Sequence, residues 1–371
     1  MRVLVTTFPG YGHFHPVAPI ALALQRAGHD VRIATHAGFG RWVQACGLTV
    51  LAAGRSEDEM VAEAAAFRPE ERSARLFTTI SVPAFADDVL AALDRWRPDL
   101  VVSEEGEHAG PLIASVLGVP SATHSWPAPA RPPEECAARV EMLAGVWREF
   151  GQQGRPRLYG DHYLDCCPPP LQTSAVANLD GVLAIRPTLF DGPPTTPPRW
   201  LEDVVSPVVF VTLGTVAMYA RPEILRTIVE SVTTKAGTVI AATGPHPESV
   251  IQPHPKVRCA RYLPLSGILP VTDLVISHGG ASTTVACLLA AVPHLIVPQG
   301  APSQLRIAAR VVTLGVGHAL DGERLDEVTV ASAATELLRD NNIRDRINAI
   351  RATLAALPGP VEVASHLAGL V

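Results

Sequence analysis

Two histidines stand just behind apolar runs, each beside glycine. His13 lies in Pro9-Gly10-Tyr11-Gly12-His13-Phe14-His15-Pro16, after the run Val3 to Thr7. His278 lies in His278-Gly279-Gly280-Ala281-Ser282-Thr283-Thr284, after Leu274 to Ile276. Imidazole is the side chain best tuned to take a proton near neutral pH, so His13 could be a general base. The alternative on position alone is a helix-capping or solvent-exposed histidine, and the spacing assigns His15 no role. Glu104 and Glu105 close another apolar run, Asp99 to Ser103. A carboxylate there could accept a hydrogen bond from one imidazole nitrogen, keep the other basic and stabilise the imidazolium formed. The competing reading is a solvated acidic turn. Around His278 the chemistry differs. Gly279 and Gly280 allow close backbone approach, Ser282, Thr283 and Thr284 add hydroxyls, and free amides at a helix start attract an anion, most often phosphate. A turn of small residues made for packing is the alternative. Neither a Walker A lysine nor a GxGxxG accompanies the turn, which weakens P-loop and NAD readings.

The elements that must hold these residues repeat one pattern. Leu274 to Ile276 reads as a strand, Ala281 to about Ala291 as a helix, and Leu295 to Val297, capped by Pro298-Gln299-Gly300, as a second strand. This is a βαβ unit with its binding turn at a strand end. Residues 1–35 give another. Its helix carries Pro16 near its start and Val17, Ile20, Ala21 and Leu24 on one face, Gly28 ends it, and Val31 to Ala34 is the next strand. Further strands are expected at Asp99 to Ser103, Ser121 to Thr123 and Val182 to Ile185, with helices at 108–117 and from about Glu134 to Phe150. Phe85, Val89, Leu93 and Trp96 share one helical face. Residues 55–83 read as a loosely helical excursion, and 126–133, WPAPARPP, as irregular. In the second half, strands are expected at Val208 to Thr212, 238–242 and 257–260, the first ending in Gly214-Thr215. Helices follow near 222–236, 302–314, 328–339, 343–357 and 360–370.

Alternating strands and helices in both halves predict an α/β protein of two Rossmann-like parallel-sheet domains facing across a cleft. The expected division is 1–195, a Pro-rich linker at 196–206, 207–357, and a C-terminal helix in 358–371 whose return to the first domain is left open. A chain of 371 residues fits two cores. The net charge of −6 leaves no electrostatic footprint for nucleic acid. The 6 cysteines show no CxxC and no metal-ligand spacing, so they read as free thiols rather than a zinc site. No carboxylate cluster suits Mg²⁺. With no signal-peptide h-region and no apolar run of about 18 residues, the expectation is a soluble cytoplasmic protein with no membrane partner.

Together these motifs resemble the bacterial natural-product glycosyltransferases of GT-B fold, family 1, which decorate macrolides, aromatic polyketides and enediynes. Pro9 to Pro16 is similar to that family's PGxGHxxP start. Tyr262-Leu263-Pro264, His278-Gly279-Gly280 and Val292-Pro293-His294-Leu295-Ile296-Val297-Pro298 follow its order and spacing. The resemblance covers essentially the whole chain, least at 55–83 and 125–175, and the two motifs together are specific.

The resemblance implies roles. His13 would deprotonate the acceptor hydroxyl, with Glu104 where the family often has an aspartate partner. His278, Gly280, Ser282 and Thr283 would hold the diphosphate, with Gly214 and Thr215 beside the phosphates and sugar. Tyr262 would stack on a pyrimidine base and Leu263 offer it backbone hydrogen bonds. Gln304 matches the glutamine of an acidic-Gln pair that contacts sugar hydroxyls. Phe14 and Trp126 are expected on the acceptor side. Ser282 replaces a usual Gly, Ser303 a usual Asp, and Glu104 the shorter Asp. Because a neutral, shorter serine reads fewer hydroxyls, Ser303 implies a deoxy- or amino-sugar donor rather than glucose.

The implied activity is inverting, metal-independent transfer from a TDP-sugar to an apolar aglycone, with no cofactor beyond the nucleotide-sugar and a homodimer left open. The alternatives are a catalytically weak homologue that binds glycoside or nucleotide, and a GT-B-fold epimerase or phosphorylase.

Overall fold

A computed structural model describes every residue except Asp94, Arg95, Ala217, Met218 and Ala220. The chain forms two compact units. One comprises Met1–Cys167, Gln172–Pro194 and Leu357–Val371, and the other Pro168–Leu171 and Thr195–Ala356.

In the first unit, β1 (Arg2–Thr6), β2 (Asp30–Thr35), β3 (Thr49–Ala52), β4 (Leu100–Glu104), β5 (Ser121–His124), β6 (His162–Asp165) and β7 (Val182–Ala184) make a sheet in the order β3-β2-β1-β4-β5-β6-β7. Every pairing in it is parallel. Side chains alternate across a strand, so Val3 and Val5 enter one core with Phe14, Val17, Ile20 and Leu24. Leu4 enters the other with Val82, Phe85 and Leu112. A strand buried on both faces reads as an unbroken apolar run, which is why β1 and β4 stand out in the sequence.

The helix after β1 spans Tyr11–Arg26, so it starts five residues before Pro16. Pro16 and Pro19 lie inside it and withdraw the i→i−4 donors that the Gly12 and His15 carbonyls would otherwise receive. The C-terminal helix Pro360–Ala368 packs on this helix and puts Val363, Ala364 and Leu367 into the same core.

Residues 55–83 are more regular than a loose excursion. Helices span Glu57–Ala64 and Pro69–Arg75, a π turn spans Leu76–Ile80, and a helix covers Val82–Ala92. Ser56 and Glu59 close a capping box, and Pro69 occupies a first-turn position where its missing N–H costs nothing. This stretch packs Met60, Ala64, Leu76 and Ile80 against Phe8, with Phe67 and Phe77 at the margin. The helix ends at Ala92, yet Leu93 and Trp96 stay buried in the Phe85 core.

The second unit holds β8 (Val208–Thr212), β9 (Thr238–Ala242), β10 (Val257–Ala260), β11 (Leu274–Ser277), β12 (His294–Ile296) and β13 (Gly317–Ala319). They are ordered β10-β9-β8-β11-β12-β13, again all parallel. Arg310 donates to the carbonyls of Leu171 (3.1 Å) and Pro170 (2.6 Å), which ties residues 168–171 to this unit. Among the described residues, no helix is long and apolar enough to cross a membrane.

Both sheets reverse their building direction at the centre. β1 lies between β2 and β4, and β8 between β9 and β11. Connections leave such a switch point on opposite faces and open a crevice at the strand C-termini, where ligands of open α/β sheets bind. At these two points the strand ends and the turns and helix starts that follow them carry His13 and Glu104 in one unit, and Gly214, Thr215 and His278 in the other.

Candidate active site

The register of the first sheet brings its two candidate residues together. Thr6 at the end of β1 pairs with Ser103 of β4, so Glu104 stands one residue beyond, beside the loop that leads to His13. His13 is in the first turn of Tyr11–Arg26, and its Nδ1 lies 2.8 Å from Glu104 Oε1. Glu104 accepts three further hydrogen bonds. Phe8 N donates to Oε1 (3.3 Å), and Gly106 N and Trp126 Nε1 donate to Oε2 at 2.7 Å each. Burial alone would raise the Glu104 pKa, but the His13 charge and these donors outweigh it and hold the carboxyl below its usual range. Burial would likewise depress His13, and the Glu104 charge and hydrogen bond raise it above 6.5. With Nδ1 engaged, Nε2 is the nitrogen left to take a proton.

Aromatic rings enclose the imidazole. Phe8 and Phe77 lie 4.9 and 5.4 Å from it, and Trp126 stands edge-on at 5.0 Å. Gly106 is required beneath them, since a Cβ there would come 2.6 Å from Trp126 Cζ2 and 3.1 Å from the His13 ring.

The adjacent carboxylates have separate surroundings. Glu105 accepts from Trp126 N (2.9 Å) and from Tyr159 Oη (3.5 Å), with Arg131 at 3.8 Å. Its burial raises its pKa. Trp126 therefore joins the His13–Glu104 pair directly, beyond forming a wall. Phe14 does not reach the site and is corrected from an acceptor contact to a core residue. It is 0% exposed and packs on Phe39 and Phe190, each 6.0 Å away. Consecutive helical residues diverge by about 100°, so His13 and Phe14 cannot share a face. His15 is a packing residue whose Nε2 accepts from Trp42 Nε1 (3.3 Å), and burial lowers its pKa to about 4. The sequence reading missed Phe8, which lies five residues before His13 in the loop that leads into its helix.

The second unit builds a different site. Thr212, Ser277 and Ile296 end their strands level with one another. Gly214 (φ 86°) and Gly279 (φ 80°) hold left-handed conformations that favour glycine. The His278 ring fills the space between Gly214 and Gly280. A Cβ would approach it to 2.7 Å from the first and 2.6 Å from the second.

Gly280 caps the helix Ala281–Ala290 without a side chain, so the amides of Ala281, Ser282 and Thr283 have no partner inside the helix. Ser282 and Thr283 are half-buried there, Gly214 is half-buried and Thr215 exposed. Burial lowers the His278 pKa to about 4, which leaves the ring neutral. Ser277 Oγ steadies the turn, bonded to His294 Nε2 (2.8 Å) and accepting from Gly279 N (3.0 Å). The arrangement suits an anion: free amides, a helix dipole and an imidazole able to donate.

Tyr262, half-buried, and Leu263, buried, follow β10, two strands from β8. Ser303 is half-buried in the first turn of Pro302–Thr313. Gln304 is buried, and its Oε1 accepts from Gln299 N (2.7 Å), which anchors it while its Nε2 makes no hydrogen bond among the described residues. Gln299 is itself held, accepting from Arg221 Nε (2.9 Å) and donating to Val297 O (2.7 Å). No sequence signal marked Arg221 or Gln299, because their link joins loops 78 residues apart. Among the described residues, no group of three or more His, Cys, Asp and Glu is placed to hold a metal ion.

Comparison with known proteins agrees with this architecture. Erythromycin biosynthesis protein CIII-like proteins match in two parts, their N-terminal domain over residues 71–214 and their C-terminal domain over 226–370. L-demethylnoviosyl transferase of Streptomyces niveus is 32% identical over 99% of this chain and 98% of its own. The crystal structure of glycosyltransferase SnogD from Streptomyces nogalater superposes with TM-score 0.83 at 26% identity, covering all of both chains. Glycosyltransferase SsfS6 of Streptomyces sp. SF2575, complexed with thymidine diphosphate, does so at 0.81 and 26%, over 100% of this chain and 99% of its own. Two Rossmann-like parallel-sheet units with loops at a central switch point define a GT-B glycosyltransferase. The chain belongs to the erythromycin biosynthesis protein CIII-like family of natural-product glycosyltransferases.

Proposed function

We propose that this enzyme moves a deoxy- or amino-sugar from a TDP-sugar to a hydroxyl of a polyketide-type natural product, with inversion and without a metal ion. The observation that carries the reading is the His13–Glu104 pair, a half-buried imidazole on a buried carboxylate, at the switch point of the first sheet. His13 Nε2 takes the acceptor proton as the acceptor oxygen bonds to the anomeric carbon. The bond from that carbon to the diphosphate breaks, and TDP leaves with the electron pair. Negative charge growing on the leaving group is met by the Ala281, Ser282 and Thr283 amides and by His278. Preorganised donors of this kind are typically worth about 3 kcal/mol each in an enclosed site. A single displacement inverts the anomeric centre.

The donor assignment is supported by the thymidine diphosphate complex of SsfS6 and by the sugar named for the Streptomyces niveus relative. Tyr262 and Leu263 would take the base, Gly214 and Thr215 the phosphates and sugar, and Ser303 and Gln304 the sugar hydroxyls. The aromatic surround of Phe8, Phe77 and Trp126 suits an apolar acceptor. The test is incubation with a panel of TDP-sugars and aglycones in EDTA, read by mass spectrometry and by NMR of the anomeric proton. Transfer with inverted configuration supports the reading. Retention, loss of transfer in EDTA, or binding without turnover opposes it.

A further inference from the structure

Trp126 is held at both ends by consecutive carboxylates. Glu104 Oε2 accepts its indole N–H at 2.7 Å, and Glu105 Oε2 accepts its backbone N–H at 2.9 Å. Glu105 is fixed in turn by Tyr159 Oη and Arg131, and the Arg131 guanidinium lies 5.9 Å above the indole. The indole meets the His13 imidazole edge-on at 84°. It is thus wedged between the carboxylate that orients the base and the base itself, over Gly106, the one residue type that leaves room.

We propose that Trp126 is a positioning residue for the reaction, whose indole N–H fixes the Glu104 carboxylate in its rotamer and limits its pull on the His13 proton. The proposal rests on the reading of His13 as the base. A carboxylate sharing its charge among Phe8 N, Gly106 N, Trp126 Nε1 and His13 Nδ1 is a weaker acceptor toward any one of them. Hydrogen bonds to the ionised form favour it, so taking one away makes the pair more basic. The other ionisable groups whose charge reaches this pair are Glu57 from the helix Glu57–Ala64, Glu105, Glu107 and His124. None of them donates to Glu104 as Trp126 does, so their fields are unchanged by removing the indole N–H.

Trp126→Phe keeps a ring and removes the donor. The acid limb of the kcat/KM profile should move up by about one pH unit, and the plateau should fall about tenfold. KM for the TDP-sugar should not change. An unchanged acid limb with only a raised acceptor KM would make Trp126 an acceptor wall and overturn the proposal. If Trp126→Phe does not fold, Trp126→Leu gives the same reading, because it too removes the indole N–H while Gly106 and its bond to Glu104 stay as they are. An unmoved limb there overturns the proposal equally. His13→Ala is run alongside. If that variant keeps its turnover, the base assignment has failed, and the failure is not one of Trp126.

Discussion

His13 Nδ1 and Glu104 Oε1 are 2.8 Å apart, one at the start of a helix and the other at the end of a strand 91 residues later. The carboxylate is 1% exposed and the imidazole 16%. Glu104→Gln should cut turnover by about 10²–10⁴. Either amide orientation sets its NH₂ against donors that the carboxylate now satisfies. The pH sign follows from the opposing effects at His13. Burial lowers its pKa and Glu104 raises it, with a net rise. Without the Glu104 charge and hydrogen bond, only the smaller pull of Glu57 and Glu105 opposes burial, so the acid limb should move to lower pH, opposite to the shift expected for Trp126→Phe. A pH–rate profile of both variants checks the pair of signs.

Gly279 and Gly280 should fail differently when changed to alanine. Gly280 has φ −61°, which alanine accepts, so its cost is the 2.6 Å approach to His278 Nε2. TDP affinity should fall at least tenfold while the fold is kept. Gly279 has φ 80°, and its Cβ would lie 2.7 Å from Ile296 Cγ2. That variant should lose ~1–3 kcal/mol of stability as well. Thermal melts with and without TDP separate the two outcomes.

Ser303 decides the donor in this account. Ser303→Asp restores an acceptor for two sugar hydroxyls, so it should raise the rate with TDP-glucose relative to a TDP-deoxysugar by about tenfold. Competition between the two donors, read by mass spectrometry, measures the ratio directly. A wild-type enzyme faster with UDP-glucose than with any TDP-deoxysugar would remove the basis for the deoxysugar assignment.

Phe14 and Phe77 should divide stability from binding. Phe14→Ala empties a fully buried position and should cost ~3–5 kcal/mol, with kcat per folded molecule unchanged. Phe77 is half-buried beside His13, so Phe77→Ala should raise the acceptor KM. Denaturant melts paired with steady-state kinetics test both.

The two site turns were legible because glycine and histidine end apolar runs that are buried on both sides. Phe14 was misread through Pro16. Placing Pro16 near a helix start left residues 9–15 as a presenting turn, whereas the helix begins at Tyr11 and turns Phe14 inward. β3 and β6 escaped notice because each has only four residues, too few for a period-2 signal. The order within 55–83 had a readable cue in Ser56 and Glu59, the capping box that opens its first helix. Trp126 at Glu104 and Arg221 at Gln299 join residues 22 and 78 apart, and such pairings carry no local pattern.

The central claim is that His13 is the base in glycosyl transfer, and single-turnover kinetics of His13→Ala tests it most directly. With saturating TDP-sugar and a turned-over aglycone, transfer should slow by about 10²–10⁴, while the thermal shift with TDP stays that of the wild type. Near-normal transfer by His13→Ala would contradict the account.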